Sequence, residues 1–198
     1  FFSGYDCDSL AFDKISGFAN HVLNFFSQYP ETELELRTKS IAVSSLFDRE
    51  AIPNCIVAFS LSPAEIADKL DRRAPSIARR VGILKKIAKH GWKIGLRFDP
   101  LIYCKGWEKL YSELIENIMQ DLDDTNIHSV SYGPLRFPKN MYKKIVDQLP
   151  HEKLYAFPME EKNGTISYGP QIEARMHFFL EMKLRKFFRK NKVFQCVV

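Results

Sequence analysis

The feature that most constrains this chain is a recurring order of parts: a short apolar run, a small polar cluster, then a helix. Leu34-Glu35-Leu36-Arg37-Thr38-Lys39, Ile56-Val57-Ala58-Phe59-Ser60-Leu61-Ser62 and Ile94-Gly95-Leu96-Arg97-Phe98-Asp99-Pro100 all follow it. Strands that alternate with helices are expected to run parallel, because a helical crossover returns the chain to the end of the sheet where it began. Polar groups gathered where successive strands end are how a β/α barrel builds a site.

The intervening segments support this order. Ile77, Val81, Leu84 and Ala88 share a helical face that follows Pro75 and stops at Gly91. Leu110, Leu114, Ile115 and Ile118 share another over about 107–122, and Leu10, Ile15, Phe18, Ala19, Val22 and Phe25 a third that ends before Pro30. Ser62-Pro63 has the form of a helix N-cap followed by proline at the first helical position. Strand character returns over 127–132, and Gly133-Pro134-Leu135-Arg136 turns into a helix over about 138–148. The last quarter breaks the rhythm. Leu154 to Pro158, a turn at Asn163-Gly164 and Thr165 to Tyr168 predict a β-hairpin, before a long basic helix and a short strand over 193–198.

Composition excludes some classes. With 198 residues the chain can bury one full core. No uncharged apolar run is long enough to cross a bilayer and no signal peptide opens the sequence, so no membrane partner is expected and a cytoplasmic location is the default expectation. The first residue is not methionine, and Phe1-Phe2-Ser3-Gly4 reads like the inside of a strand and turn, so further chain is expected upstream. The net charge of +5 suits an anionic partner. Much of it sits in Lys183 to Lys192, which a solvated helix end explains as well as DNA does. The four cysteines form no CxxC pair and the histidines show no metal-ligand spacing, so no metal is assigned to this chain. Gly-rich phosphate loops and nucleophile elbows are also missing from the sequence.

Each polar cluster has a structural explanation beside a functional one. Ser40, Ser62 and Asp99 are all suited to cap the helices that follow. Lys39, framed by Arg37 and Thr38, is placed to meet a carboxylate or phosphate, or to pair with Asp99 or Asp8. Arg97 and Arg136 add cations near the same rim. Cys7 lies between two aspartates, which disfavour a thiolate and leave a hydrogen-atom donor or a simple contact as its possible roles.

The segments Glu35 to Ser40, Ala58 to Pro63, Arg73 to Arg80 and Gly91 to Pro100, continued by Gly106-Trp107 and Tyr111, resemble in order and spacing the spore photoproduct lyase family of radical S-adenosylmethionine enzymes. The resemblance implies a partial (β/α) barrel of the TIM type over residues 1–150, with 151–198 as a C-terminal hairpin and helix extension of the same domain. It also implies S-adenosylmethionine and a [4Fe-4S] cluster at the barrel mouth, a 5′-deoxyadenosyl radical, and reversal of a methylene-linked thymine dimer in UV-damaged DNA. Carried over by position, Lys39 and Ser60 match cofactor contacts, Cys7 and Asp99 occupy neighbouring contact positions, and Tyr168 lies in the hairpin that in the family helps seat the lesion. Arg97 and Arg136, as cations near the rim, are also expected to face substrate. An external electron donor such as flavodoxin or ferredoxin and a monomeric state are expected.

Two departures stand out. The family's CxxxCxxC motif is not in these residues, so the cluster ligands are expected upstream and this chain alone is expected to be inactive. Where the characterised repair enzymes carry a hydrogen-donating cysteine, alignment on Asp8 places Tyr5, with Cys7 two residues on; alternation would point both to one face. Two other readings stand: a family member acting on another nucleic acid or a small molecule, and a non-enzymatic nucleic-acid-binding module on a degenerate barrel.

Overall fold

The computed structural model describes residues 1–4, 7–155 and 157–196. Nine strands and eight α-helices alternate along these residues. The main sheet is formed by β1 (Phe2–Ser3), β2 (Leu34–Thr38), β3 (Cys55–Ser60), β4 (Lys93–Leu101), β5 (Ile127–Pro134) and β9 (Val193–Gln195), in the order β1-β2-β3-β4-β5-β9. Every neighbouring pair is parallel, as the strand–helix alternation requires.

Helices α1 (Asp13–Ser16) and α2 (Phe18–Phe26) link β1 to β2, and α3 (Ser44–Phe47) links β2 to β3. The single amphipathic helix expected over 10–25 is broken because Gly17 adopts φ +62°, a left-handed turn that ends α1 and starts α2. Helices α4 (Ala64–Leu70) and α5 (Ile77–Lys89) connect β3 to β4, and α6 (Trp107–Met119) connects β4 to β5.

Between β5 and β9 the chain makes a long excursion. It contains β6 (Arg136–Pro138), α7 (Lys139–Gln148), β7 (Met159–Lys162), β8 (Thr165–Tyr168) and α8 (Pro170–Leu184). Strands β7 and β8 form the expected hairpin around Asn163 (φ +51°) and Gly164 (φ +78°), the backbone such a tight turn demands. Its first strand lies later than expected: Lys153–Tyr155 forms a 3-10 turn instead, and β6 adds a third strand beside β8. The basic run Lys183 to Lys192 is not a long helix, since α8 ends at Leu184 and a second 3-10 turn covers Lys190–Lys192. No described helix is long and apolar enough to cross a membrane.

The two faces of the main sheet differ in chemistry. The paired rows Leu36–Val57–Ile94–Ile127 and Thr38–Phe59–Leu96–Val130–Val193 carry the apolar side. Their apolar residues join Leu23, Leu84, Trp92, Tyr111 and Ile118 of the connecting segments in one core. The intervening rows, Arg37–Ala58–Gly95–Ser129 and Ser60–Arg97–Ser131–Phe194, carry mainly small and polar groups on the other side. A parallel sheet covered on both faces by helices is apolar on both. Here the alternation leaves a polar face for a site.

Candidate functional site

The deepest polar feature of this face is the Glu35–Arg97 pair. Arg97 Nη2 lies 2.6 Å from Glu35 Oε2 and its Nε 3.1 Å from Oε1, while Nη2 also donates to Ser129 Oγ at 2.9 Å. Arg37 Nε adds a hydrogen bond to Glu35 at 3.1 Å. Burial pushes the Glu35 carboxyl up, but the hydrogen bonds and charge of Arg97, with those of Arg37, outweigh it and hold it below its usual range. Gly95 leaves space for this arrangement, because a Cβ there would sit 2.8 Å from Arg97 Nη2. Arg97 is 4% exposed, so it is a structural cation within the sheet's polar face rather than one offered at the rim.

Higher on the same face, the carboxyl ends of β2, β3 and β4 surround a cavity of about 260 Å3. Lys39, Ser60 and Asp99 line it together with Asp71, Pro100 and Leu135. The structure therefore brings together three of the four residues expected to contact a cofactor. Ser60 ends β3, Asp99 lies near the end of β4, and Lys39 follows the last residue of β2.

Asp8 fixes the end of β2. Its Oδ1 accepts from the Thr38 hydroxyl at 2.7 Å and from the Leu10 and Ala11 N–H groups, and its Oδ2 accepts from the Lys39 N–H at 2.6 Å. The Lys39 side chain turns to neither Asp8 nor Asp99. Its Nζ meets Asp71 Oδ1 at 2.5 Å, while Arg80 Nη1 approaches the other oxygen at 2.7 Å. Burial raises the Asp71 carboxyl, yet the hydrogen bond and charge of Lys39 and the adjacent Arg80 guanidinium leave it below its usual range. Arg80, 1% exposed, also donates to the Pro75 carbonyl at 2.8 Å and to the Ser60 carbonyl at 3.2 Å.

Asp99 forms a two-pronged ion pair with Arg136 at 2.8 and 3.0 Å, so it is not a helix cap. Beyond this pair lies a more open groove of about 450 Å3, lined by Arg136, Phe137, Pro138 and Thr165 as well as Asp99. Asp99 and Arg136 thus stand where cavity and groove meet. Cys196 lies against them; burial first, and then the Asp99 carboxylate, pushes its thiol pKa up.

The remaining expected site residues fall elsewhere. Tyr168 is 2% exposed and its hydroxyl accepts the Tyr103 N–H at 3.0 Å, which makes it a support for the loop after β4 rather than an open substrate contact. Cys7 is exposed in the turn after β1, and Tyr5 lies outside the described residues. Ser40 turns its hydroxyl to the Ala42 N–H, and α4 starts one residue later than Ser62-Pro63 suggests, with Pro63 itself at the N-cap in extended conformation.

Asp8, Glu35, Asp71 and Arg80 were not singled out from the sequence as site residues. Glu35 carried a signal, a charge alternating with leucines inside a strand. Arg80 lay in one of the segments that resemble the family but with no role attached, and Asp71 carried no signal, because its partner Lys39 is 32 residues away in the chain.

A Lys, a hydroxyl and a carboxylate converge on a cavity at strand carboxyl ends, the place where β/α proteins build their sites. Among the described residues no group of three or more His, Cys, Asp or Glu side chains is arranged to hold a metal ion. The comparisons narrow the class. The family model for spore photoproduct lyase matches residues 1–193, and the chain belongs to that family. It is 22% identical over 164 residues to a spore photoproduct lyase of Geobacillus sp. (strain Y412MC61), covering 82% of this chain and 48% of that protein. The chain therefore spans about half the length of that relative. It superposes with TM-score 0.84 and 18% identity on a mutant spore photoproduct lyase with dinucleoside spore photoproduct, covering 98% of this chain and 60% of that one. A second mutant, with bound AdoMet and the same dinucleoside, gives TM-score 0.82 and 17% identity over 98% of this chain and 59% of that one. These superpositions show that the chain shares the fold of those proteins.

Proposed function

We propose that this chain supplies the cofactor- and lesion-facing part of a radical S-adenosylmethionine lyase that reverses spore photoproduct, the methylene-linked thymine dimer, in UV-damaged DNA. The observation that carries the reading is the gathering of Lys39, Ser60 and Asp99 around one cavity at the ends of β2, β3 and β4. Membership of the family and the ligands named in its solved structures support it.

The donors present fit S-adenosylmethionine. The Lys39 ammonium suits the methionyl carboxylate, and the Ser60 hydroxyl can give or take a hydrogen bond along the ligand's polar edge. Bound S-adenosylmethionine supplies hydrogen-atom abstraction to the reaction. The protein's share is to hold the ligand at the strand ends, to keep Asp99 and Arg136 as a fixed wall between cavity and groove, and to offer Arg136 near an anionic backbone in the groove. Cys7 is the described candidate for returning a hydrogen atom to the product. Among the described residues no set of thiolates is arranged to hold a [4Fe-4S] cluster. In this reading the cluster ligands lie upstream, electrons come from an external donor such as flavodoxin or ferredoxin, and the protein works in the cytoplasm.

The test uses the natural full-length product that carries this chain, reconstituted with iron and sulfide and given dinucleoside spore photoproduct. Release of thymidylyl-thymidine is expected. Lys39→Met should lower S-adenosylmethionine affinity about tenfold or more, the scale of a hydrogen bond to a charged group. Binding of the cofactor with no release would move the assignment to another substrate of the same chemistry. Failure to bind cluster or cofactor would overturn the enzyme reading.

A further inference from the structure

We propose that Asp71, backed by Arg80, is a positioning residue that sets where the Lys39 ammonium and the end of β3 stand around the cavity. The inference rests on the reading of this cavity as the S-adenosylmethionine site, and it assigns a role to two residues outside the family-matched contacts.

The geometry is a chain of contacts across three segments. The cavity ends of β2 and β3 are neighbouring strand ends, but Lys39 is not held by a group on either strand. Its Nζ is held at 2.5 Å by Asp71, which follows the last residue of α4. Asp71 is itself fixed, because its N–H donates to the Ala67 carbonyl at 2.8 Å and Arg80 Nη1 stands 2.7 Å from its second oxygen. The same Nη1 lies 3.2 Å from the carbonyl of Ser60. One carboxylate and one guanidinium therefore connect the side chain of Lys39 to the backbone of Ser60, the two residues on which cofactor binding depends.

Two further observations argue against a merely structural ion pair. Arg80 is 1% exposed, yet among the described residues its Nη2 has no hydrogen-bond partner, and neither does Asp71 Oδ2, which Arg80 approaches closely but in poor alignment. A buried pair kept only for stability is expected to satisfy its polar atoms, since incomplete pairing in a dry site costs free energy. The Lys39 side chain is also still 44% exposed, so its ammonium keeps a face towards the cavity while Asp71 holds the other. An ammonium has three donors. One directed to Asp71 aims the others, and a ligand carboxylate meets a cation already in place instead of ordering a flexible four-carbon stem.

Two measurements on the full-length protein test this. Competitive acetylation with acetic anhydride, read by mass spectrometry without cofactor, reports on Lys39 directly. Asp71→Asn should raise Lys39 labelling several-fold relative to Lys85 and Lys183, and Asp71→Glu should return it towards the wild-type level. Equilibrium binding of S-adenosylmethionine to wild type, Asp71→Asn, Lys39→Met and the double variant then gives a cycle. Asp71→Asn should weaken binding about tenfold beside Lys39, on the scale of a charged hydrogen bond, and have no further effect beside Met at that position. An equal loss in both backgrounds, or unchanged Lys39 labelling in folded Asp71→Asn, would overturn the positioning role. If Asp71→Asn does not fold, Asp71→Glu carries the test: wild-type labelling with full affinity supports the role, while wild-type labelling with impaired affinity overturns it. Altered labelling with no cofactor binding by wild type would instead keep the clamp and sink the cavity's assignment.

Discussion

Removing the carboxylate of Glu35 should be among the most destabilising single changes in this chain. Glu35 and Arg97 are 5% and 4% exposed and lie 62 residues apart, so Glu35→Ala leaves a guanidinium inside the sheet's polar face without its counter-charge. Breaking one side of a buried pair costs about 3–5 kcal/mol. Arg97 keeps its bonds to the Ser129 hydroxyl and carbonyl, which places Glu35→Gln, with an acceptor oxygen remaining, nearer 2 kcal/mol. For a chain of this size roughly 2–4 °C accompanies each kcal/mol, so Glu35→Ala should melt about 6–20 °C lower. Urea titrations followed by far-ultraviolet circular dichroism measure the free energies. The double variant Glu35→Leu/Arg97→Met removes both charges and should recover most of the loss. The pH dependence has a defined sign. A carboxyl held below its ordinary 4.5 contributes stability that is present above that value and lost as pH falls through the folded-state pKa. Wild type and Glu35→Gln should therefore converge in acid. A Glu35→Ala midpoint within about 1 kcal/mol of wild type would refute the argument, because such a loss is the size of an exposed pair.

Asn54 offers an independent check on how the strands are joined. Its Nδ2 donates to the carbonyls of Phe26, Tyr29 and Thr32 at 2.9–3.0 Å, gathering the end of α2 and the turn before β2, so Asn54→Ala should lower the urea-derived stability by about 2–3 kcal/mol. The cysteines should separate by reactivity towards Ellman's reagent. Cys7 is exposed and should react first, whereas Cys55 is fully buried with its pKa pushed up to about 12 and should react only on unfolding; a fast phase that survives Cys7→Ser would contradict this.

The parallel order was legible because each strand was apolar and short, and each was followed by a helical face. So was the tight turn at Asn163-Gly164, whose residues favour positive φ. The first strand of that hairpin was missed for a physical reason: Met159-Glu160-Glu161-Lys162 is a largely exposed edge strand that buries little, so its sequence carries no apolar alternation. The site was read in part. Lys39, Ser60 and Asp99 could be placed at one end of the sheet because each lies at a strand terminus. Their partners could not, since Lys39 to Asp71 and Asp99 to Arg136 are tertiary pairings across 32 and 37 residues. Arg97 was misplaced at the rim because strand periodicity gives the face of a side chain but not its depth.

The late return of the chain to the main sheet has a consequence for how the molecule assembles. Strand β9 completes the ladder beside β5 only after the hairpin, α7 and α8 have been laid down. The length-dependent entropy of closing a loop of that size is on the order of 3–4 kcal/mol. Contacts of the excursion with β5, such as Glu181 to the Tyr132 hydroxyl, and within itself, such as Ser167 to the Leu135 carbonyl, can offset that cost before β9 docks. The groove beside Arg136 is bounded by β6 and β8 from this same excursion. Its shape should therefore be a late event in folding, set after the parallel strands that carry Lys39 and Ser60 have already found one another.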